Sequence, residues 1–132
     1  VTSTTTVEAL PFASAEVWNT WQLANINALI SAITAATAEM FVPQMIGWDT
    51  VAPGGGVSFT KGCYPGQEIV ARAHYRGAVK RHLALVELQT DELPTVGADA
   101  ALSDDRDGQI CNVAANAPHS NRHTALMVVG GN

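Results

Sequence analysis

Eight consecutive residues, Lys61-Gly62-Cys63-Tyr64-Pro65-Gly66-Gln67-Glu68, hold a cation, a thiol, an amide and a carboxylate beside two glycines and a proline. The segment has one aromatic and no branched aliphatic, so it is a poor core strand. Its chemistry is that of an activated thiol. Lys61 lies two residues before Cys63, and the stretch that follows, Ile69-Val70-Ala71-Arg72-Ala73-His74-Tyr75-Arg76, has helix-compatible composition. A helix start carries unpaired N–H groups and partial positive charge, which favours thiolate over thiol and seats anions. Gly62 and Gly66 let the backbone turn or approach a ligand closely. The plain alternative is an inert small Cys63 and glycines that only shape a turn.

The elements that position this string follow from the flanking sequence. We expect a tight turn running into a helix at about 65–76, with Pro65 in its first turn, where proline forfeits no hydrogen bond. Glu68 and Arg72 then face each other across one helical turn and can pair, and Gly77 stops the helix. Val57 to Phe59 leads in as a strand. Pro53-Gly54-Gly55-Gly56 is a loop without the Lys-Ser/Thr ending of a phosphate-binding loop.

Upstream, Val1 to Leu10 is Thr-rich and β-branched and reads as a strand. Ser14 can cap a helix with Glu16 in its first turn. No charged residue occurs from Val17 to Ala38, a length that raises a membrane span. Asn19, Gln22, Asn25, Asn27 and Ser31 argue against it, since each needs a partner in lipid. Ile26, Leu29, Ile30 and Ile33 recur at helical spacing, so a buried amphipathic helix is expected, with Trp18 and Trp21 adding bulk. Pro43 holds Val42 extended. Downstream, 82–88, 100–102, 109–115 and 124–129 read as strands, with Asp107-Gly108 as a hairpin signal. The chain is therefore α+β: residues 1–80 as one α/β unit and 81–132 as a small antiparallel, barrel-like one.

Net charge is −5, yet five of the seven basic residues (Lys61, Arg72, Arg76, Lys80, Arg81) fall between 61 and 81, opposed only by Glu68. A local basic patch on an acidic protein suits one anionic ligand better than a long polyanion. Only Tyr64 and Tyr75 interleave with it, thin support for stacked nucleic-acid bases. The two cysteines, Cys63 and Cys111, form no disulfide framework and fit a reducing cytoplasm. They combine with no histidine into a zinc pattern, so no metal is assigned; Cys111 is expected in the core. The abrupt start at Val1 and the end on Gly130-Gly131-Asn132 read as those of a longer protein's later part.

Lys-Gly-Cys-Tyr-Pro-Gly-Gln-Glu-Ile-Val-Ala-Arg-Ala (61–73), followed by Tyr75-Arg76-Gly77 and Lys80-Arg81, resembles the signature of the YgfZ family, folate-binding proteins related in fold to the glycine-cleavage T-protein, an aminomethyltransferase. Phe41-Val42-Pro43-Gln44 and Val57-Ser58-Phe59 extend the likeness, which is specific over 41–88 and fades after 90. The resemblance implies an aminomethyltransferase-like fold, tetrahydrofolate as ligand, Cys63 as the functional thiol, and a role in iron–sulfur cluster assembly or repair that supports tRNA modification indirectly. Lys61 and Glu68 would act beside Cys63. Gly62, Tyr64, Gly66, Gln67, Arg72 and Arg76 would line the folate seat, and Trp21 could stack on the pterin, although core packing is the preferred role for it. Partners would be folate and iron–sulfur assembly or client proteins, with no membrane and no direct tRNA contact.

The chain also departs from that pattern. The family's Glu-Ala-Gly and the proline after it fall on Asn27-Ala28-Leu29 and Ser31, so an acidic position is lost. This weighs against aminomethyl transfer, which needs a positioned acid or base, and leaves the chain's status as an enzyme open. A Cys-dependent hydrolase or redox enzyme is disfavoured too, because His74 lies about three turns from Cys63 along the same helix. One thiol cannot hold a cluster that usually needs about four protein ligands; transient cluster contact fits better.

Overall fold

The structure is a computed structural model describing residues 14–50, 56–75 and 79–131. The expected strand at Val1–Leu10, most of the glycine loop at 53–56, Arg76 and the helix stop at Gly77 lie outside the described residues. Among the described residues, two α-helices, α1 (Ala15–Asn27) and α2 (Gln67–Tyr75), with a short 3-10 turn (Ala35–Thr37) between them, precede four strands: β1 (Arg81–Gln89), β2 (Asp99–Ala101), β3 (Asp107–Ala115) and β4 (Arg122–Gly130). The strands form one antiparallel sheet in the order β1-β4-β3-β2, which makes the chain α+β as expected.

Alternation along β4 builds two cores, because successive side chains point to opposite faces. Leu126 and Val128 join Ile26, Ile46, Cys111 and Ala114 on the helix side, with Leu23, Phe41, Met45, Trp48 and Leu83 packed around them. Ala125, Met127 and Val129 join Ile110 and Val113 on the other side, where Val86, Leu88, Val96 and Leu102 cover them. Burying one such aliphatic side chain contributes about 1.5–3 kcal/mol, so the sheet centre carries much of the stability.

A bulge in β3 decides how the rest attaches. Ile110 pairs with Met127 and Asn112 with Leu126, so Cys111 is the extra residue. The break in alternation puts Cys111 and Asn112 together on the helix side. There Asn112 Oδ1 accepts from Ala32 N–H (2.9 Å) and its Nδ2 donates to Ala32 C=O (3.0 Å). A second asparagine repeats the device: Asn19 Nδ2 donates to Ala115 C=O (2.8 Å), and its Oδ1 accepts from Ala115 N–H (3.0 Å). Each amide imitates the donor and acceptor of a neighbouring strand.

This pairing explains why α1 is shorter than its periodicity predicts. Ser14 does cap it, its Oγ accepting from Val17 N–H (3.2 Å). The helix stops at Asn27, however, and Leu29 takes a left-handed φ of 59°. Ile30 N–H still donates back to Asn25 C=O (2.9 Å), but residues 31–34 run without helical pairing, held by Asn112 and by Ser31, whose Oγ donates to Ile46 C=O (2.9 Å). Of the three isoleucines and one leucine expected on one buried helix face, Ile26 is buried, while Leu29, Ile30 and Ile33 are exposed.

Two further expectations change. Val57–Phe59 is not a strand, because Ser58 Oγ accepts from the N–H groups of Thr60 and Lys61 and turns the chain. Asp107-Gly108 lies within β3, and the turn precedes it, with Asp105 at φ 65° and Leu102 N–H donating to Arg106 C=O. Gly108 is needed for closeness instead: an added Cβ would lie 2.6 Å from the Val128 carbonyl oxygen.

Because Asn112 is buried and both its amide groups are paired, Asn112→Ala should destabilise the chain by about 1–3 kcal/mol. Asn112→Asp, which keeps only the acceptor, should also destabilise. Urea unfolding midpoints measure both, and a midpoint unchanged from wild type would show that the amide pairing contributes nothing.

Candidate functional site

The motif forms an exposed turn leading into α2. Tyr64 to Gln67 is a type II β-turn: Pro65 occupies the second position, Gly66 the third with φ 80°, and Gln67 N–H donates to Tyr64 C=O (3.3 Å). Pro65 is therefore two residues ahead of the helix rather than in its first turn. The proline–glycine pair selects the turn because proline presets the second φ and glycine alone takes the third without strain. Gln67 Oε1 closes the turn by accepting from Tyr64 N–H (3.2 Å).

Cys63 is exposed at the entrance of this turn. Added Cβ atoms at Gly62 and Gly66 would meet nothing within 4 Å, so the backbone on both sides of the thiol and of Tyr64 is open to an incoming group. The Lys61 ammonium lies 5.0 Å from the centre of the Tyr64 ring, a cation–π geometry. Glu68 and Arg72 are both exposed, and the expected ion pair between them does not form. A pair between two exposed, flexible side chains gains too little to hold one geometry. The carboxylate and the guanidinium are thus separately available.

α2 is attached from beneath. Val70 is buried, and Gln44 Nε2 donates to Val70 C=O (2.8 Å) while Gln44 Oε1 is buried without a partner. His74, on the same helix, stacks on Phe59 with ring centres 3.7 Å apart and planes 16° from parallel, and Tyr75 meets both rings edge-on. Spacing along the chain gave no sign of this stack, because Phe59 and His74 sit on either side of an irregular turn. Gln44 was legible only as part of a matching tetrapeptide.

Other predicted residues lie apart from the motif turn. Arg81 is in β1, its Nη2 donating to Val128 C=O (3.2 Å). Trp21 is on α1, about half exposed and stacked on Trp18 with ring centres 5.0 Å apart. This corrects the expectation that it packs in the core, since Leu23 and Ile26 take the inward face of the helix. Cys111 is fully buried as expected, and burial pushes its thiol up to about 11. Among the described residues, no three His, Cys, Asp or Glu side chains cluster to hold a metal ion. No helix among them is long and apolar enough to cross a membrane.

The likeness carried by the motif extends to curated proteins. The chain is 45% identical over 82 residues to the tRNA-modifying protein YgfZ of Escherichia coli O45:K1 (strain S88) and, equally, to that of strain ED1a (O81). Over that stretch the chain is similar to YgfZ. The YgfZ of E. coli O139:H28 (strain E24377A) matches to the same extent. The alignment takes in 62% of this chain but 24% of each relative, so it spans about a quarter of the length of the YgfZ proteins it matches. No family model matches the chain.

The site yields two expectations. Cys63 should react with iodoacetamide in the folded protein while Cys111 reacts only on unfolding, and mass spectrometry after a short exposure distinguishes them. The raised pKa of Cys111 adds an alkaline signature: its contribution to stability is complete below its unperturbed pKa of 9.0 and is lost as pH rises toward about 11. Cys111→Ala should flatten stability over that window. Separately, Gly66→Ala should cost about 1–2 kcal/mol through its left-handed φ, and Gly66→Asn less, in urea unfolding of the same protein.

Proposed function

We propose that the chain is the thiol-bearing portion of a folate-binding accessory protein in iron–sulfur cluster assembly or repair, supporting tRNA modification indirectly. The observation that carries the reading is an exposed Cys63 in an open turn, within a chain 45% identical over 82 residues to a tRNA-modifying protein. In this reading the fold is aminomethyltransferase-like, residues 1–80 belong to the folate-binding unit and 81–132 to a barrel-like one, and the protein works in the cytoplasm.

The residues present fit tetrahydrofolate in part. Arg72, exposed and free of Glu68, offers a charge-assisted partner for a glutamyl carboxylate, and Arg76 would add a second. Gly62 and Gly66 leave the backbone clear for close approach. Gln67 retains its Nε2 as donor, because only Oε1 is engaged in the turn. Trp21 would have to use the ring face that Trp18 leaves uncovered. Lys61 would return from the Tyr64 ring to the thiol when an anion or partner displaces it. Bound folate would supply a pterin able to carry one-carbon units. The protein's own part is to seat its carboxylates and present Cys63 beside it, making transient contact with a cluster or client.

The test is calorimetric titration of tetrahydrofolate into this chain, into E. coli YgfZ, and into Arg72→Ala and Arg76→Ala variants of whichever binds. Each arginine should account for about tenfold or more in affinity, the scale of one hydrogen bond to a charged group. Binding by YgfZ alone would place part of the seat in the three quarters of that protein beyond the match. Absence of heat with either protein would sink the folate reading and leave Cys63 to be explained by a partner protein.

A further inference from the structure

α1 is apolar on two sides. Leu23 and Ile26 face the sheet. Val17, Trp18 and Trp21 recur at i, i+1 and i+4 on the outer side, and each is more than half exposed. A groove of about 460 Å³ runs beside Trp21, lined by Glu16, Val17, Thr20, Trp21 and Ala24. Leu29, Ile30 and Ile33, just beyond the helix, add more exposed apolar surface. Large apolar side chains clustered in this way mark an interaction surface, and a helix apolar on opposite sides belongs between two layers.

Three occupants have this chemistry: a second copy, a membrane surface, or another part of the same kind of polypeptide. A membrane-surface helix presents Lys or Arg on its polar face, whereas the only charged residue of α1 is Glu16. A YgfZ-type polypeptide, by contrast, carries about three quarters of its length outside the stretch this chain matches. We infer that the Trp18–Trp21 face of α1 is an interdomain surface, covered by an uncharged apolar face on the part of a YgfZ-type polypeptide that lies beyond the match. The inference rests on the relationship to YgfZ and is independent of the folate reading.

The test reads the accessibility of the tryptophan pair by acrylamide quenching. The signal of Trp18 and Trp21 is the difference between the wild-type chain and its Trp18→Phe/Trp21→Phe variant, which removes the contribution of Trp48. In the isolated 132-residue chain the pair should be freely quenched. In a chimera carrying this whole chain in place of the matched stretch of E. coli YgfZ, it should be quenched several-fold less. Equal quenching in a folded chimera overturns the inference.

A second measurement titrates the isolated chain with E. coli YgfZ lacking the matched stretch. Association is expected, weakened at least about tenfold by Trp18→Ala/Trp21→Ala, since buried tryptophans dominate interface energies. No association with that remainder when circular dichroism shows it folded overturns the inference. So does protection of the pair in the isolated chain that is lost on dilution, which assigns the face to a second copy, or protection that appears only with phosphatidylcholine vesicles, which assigns it to a membrane. Tetrahydrofolate titration of the same chimera reports on the ligand separately, so failure of one conclusion leaves the other readable.

Discussion

Two asparagine side chains hold the helical part of this chain to its sheet. Asn19 pairs with the backbone of Ala115, and Asn112 with the backbone of Ala32, each through a donor and an acceptor at once. These amides satisfy backbone groups on both sides of the seam, Ala115 at the end of β3 and Ala32 in the segment after α1, where they pack against one another. The second pairing depends on the β3 bulge, since in regular alternation Cys111 and Asn112 would face opposite ways. A single inserted residue thus sets where α1 ends, where residues 30–34 lie, and why Cys111 is buried.

The motif follows a different principle. Its shape is local: a proline–glycine turn closed by its own glutamine, a serine that bends the chain ahead of it, and a cation resting on a tyrosine ring. None of these contacts reaches the sheet. The segment therefore presents Cys63, Glu68 and Arg72 outward rather than to the core. One β-turn separates Cys63 from the first residue of α2, so Cys63 stands beyond the first turn, where a helix terminus acts most strongly.

Much of this was legible in the residues. Strand positions emerged to within about two residues, because hydrophobic alternation with β-branched side chains reports directly on a sheet packed on both faces. The Ser14 cap and the thiol motif were equally plain. What stayed hidden depended on contacts distant in sequence. Ile26, Leu29, Ile30 and Ile33 have helical spacing, but Asn112, about eighty residues away, competes for the backbone at Ala32 and prevails. Trp21 looked like a core residue because bulk and apolarity do not say which side of a helix faces the sheet. Glu68 and Arg72 have the spacing of an ion pair without the burial that would fix one.

The attachment of α2 has a consequence for how the motif behaves over time. Among the described residues, the helix is anchored by one buried valine and one side-chain hydrogen bond from Gln44, whose other amide oxygen is left without a donor. The central strands are held by long ladders, unbroken between β1 and β4 and interrupted only by the Cys111 bulge between β3 and β4. Such a helix can detach at a free energy well below that of global unfolding. The thiol turn and its helix then form a separate cooperative unit, able to rearrange while the sheet stays intact.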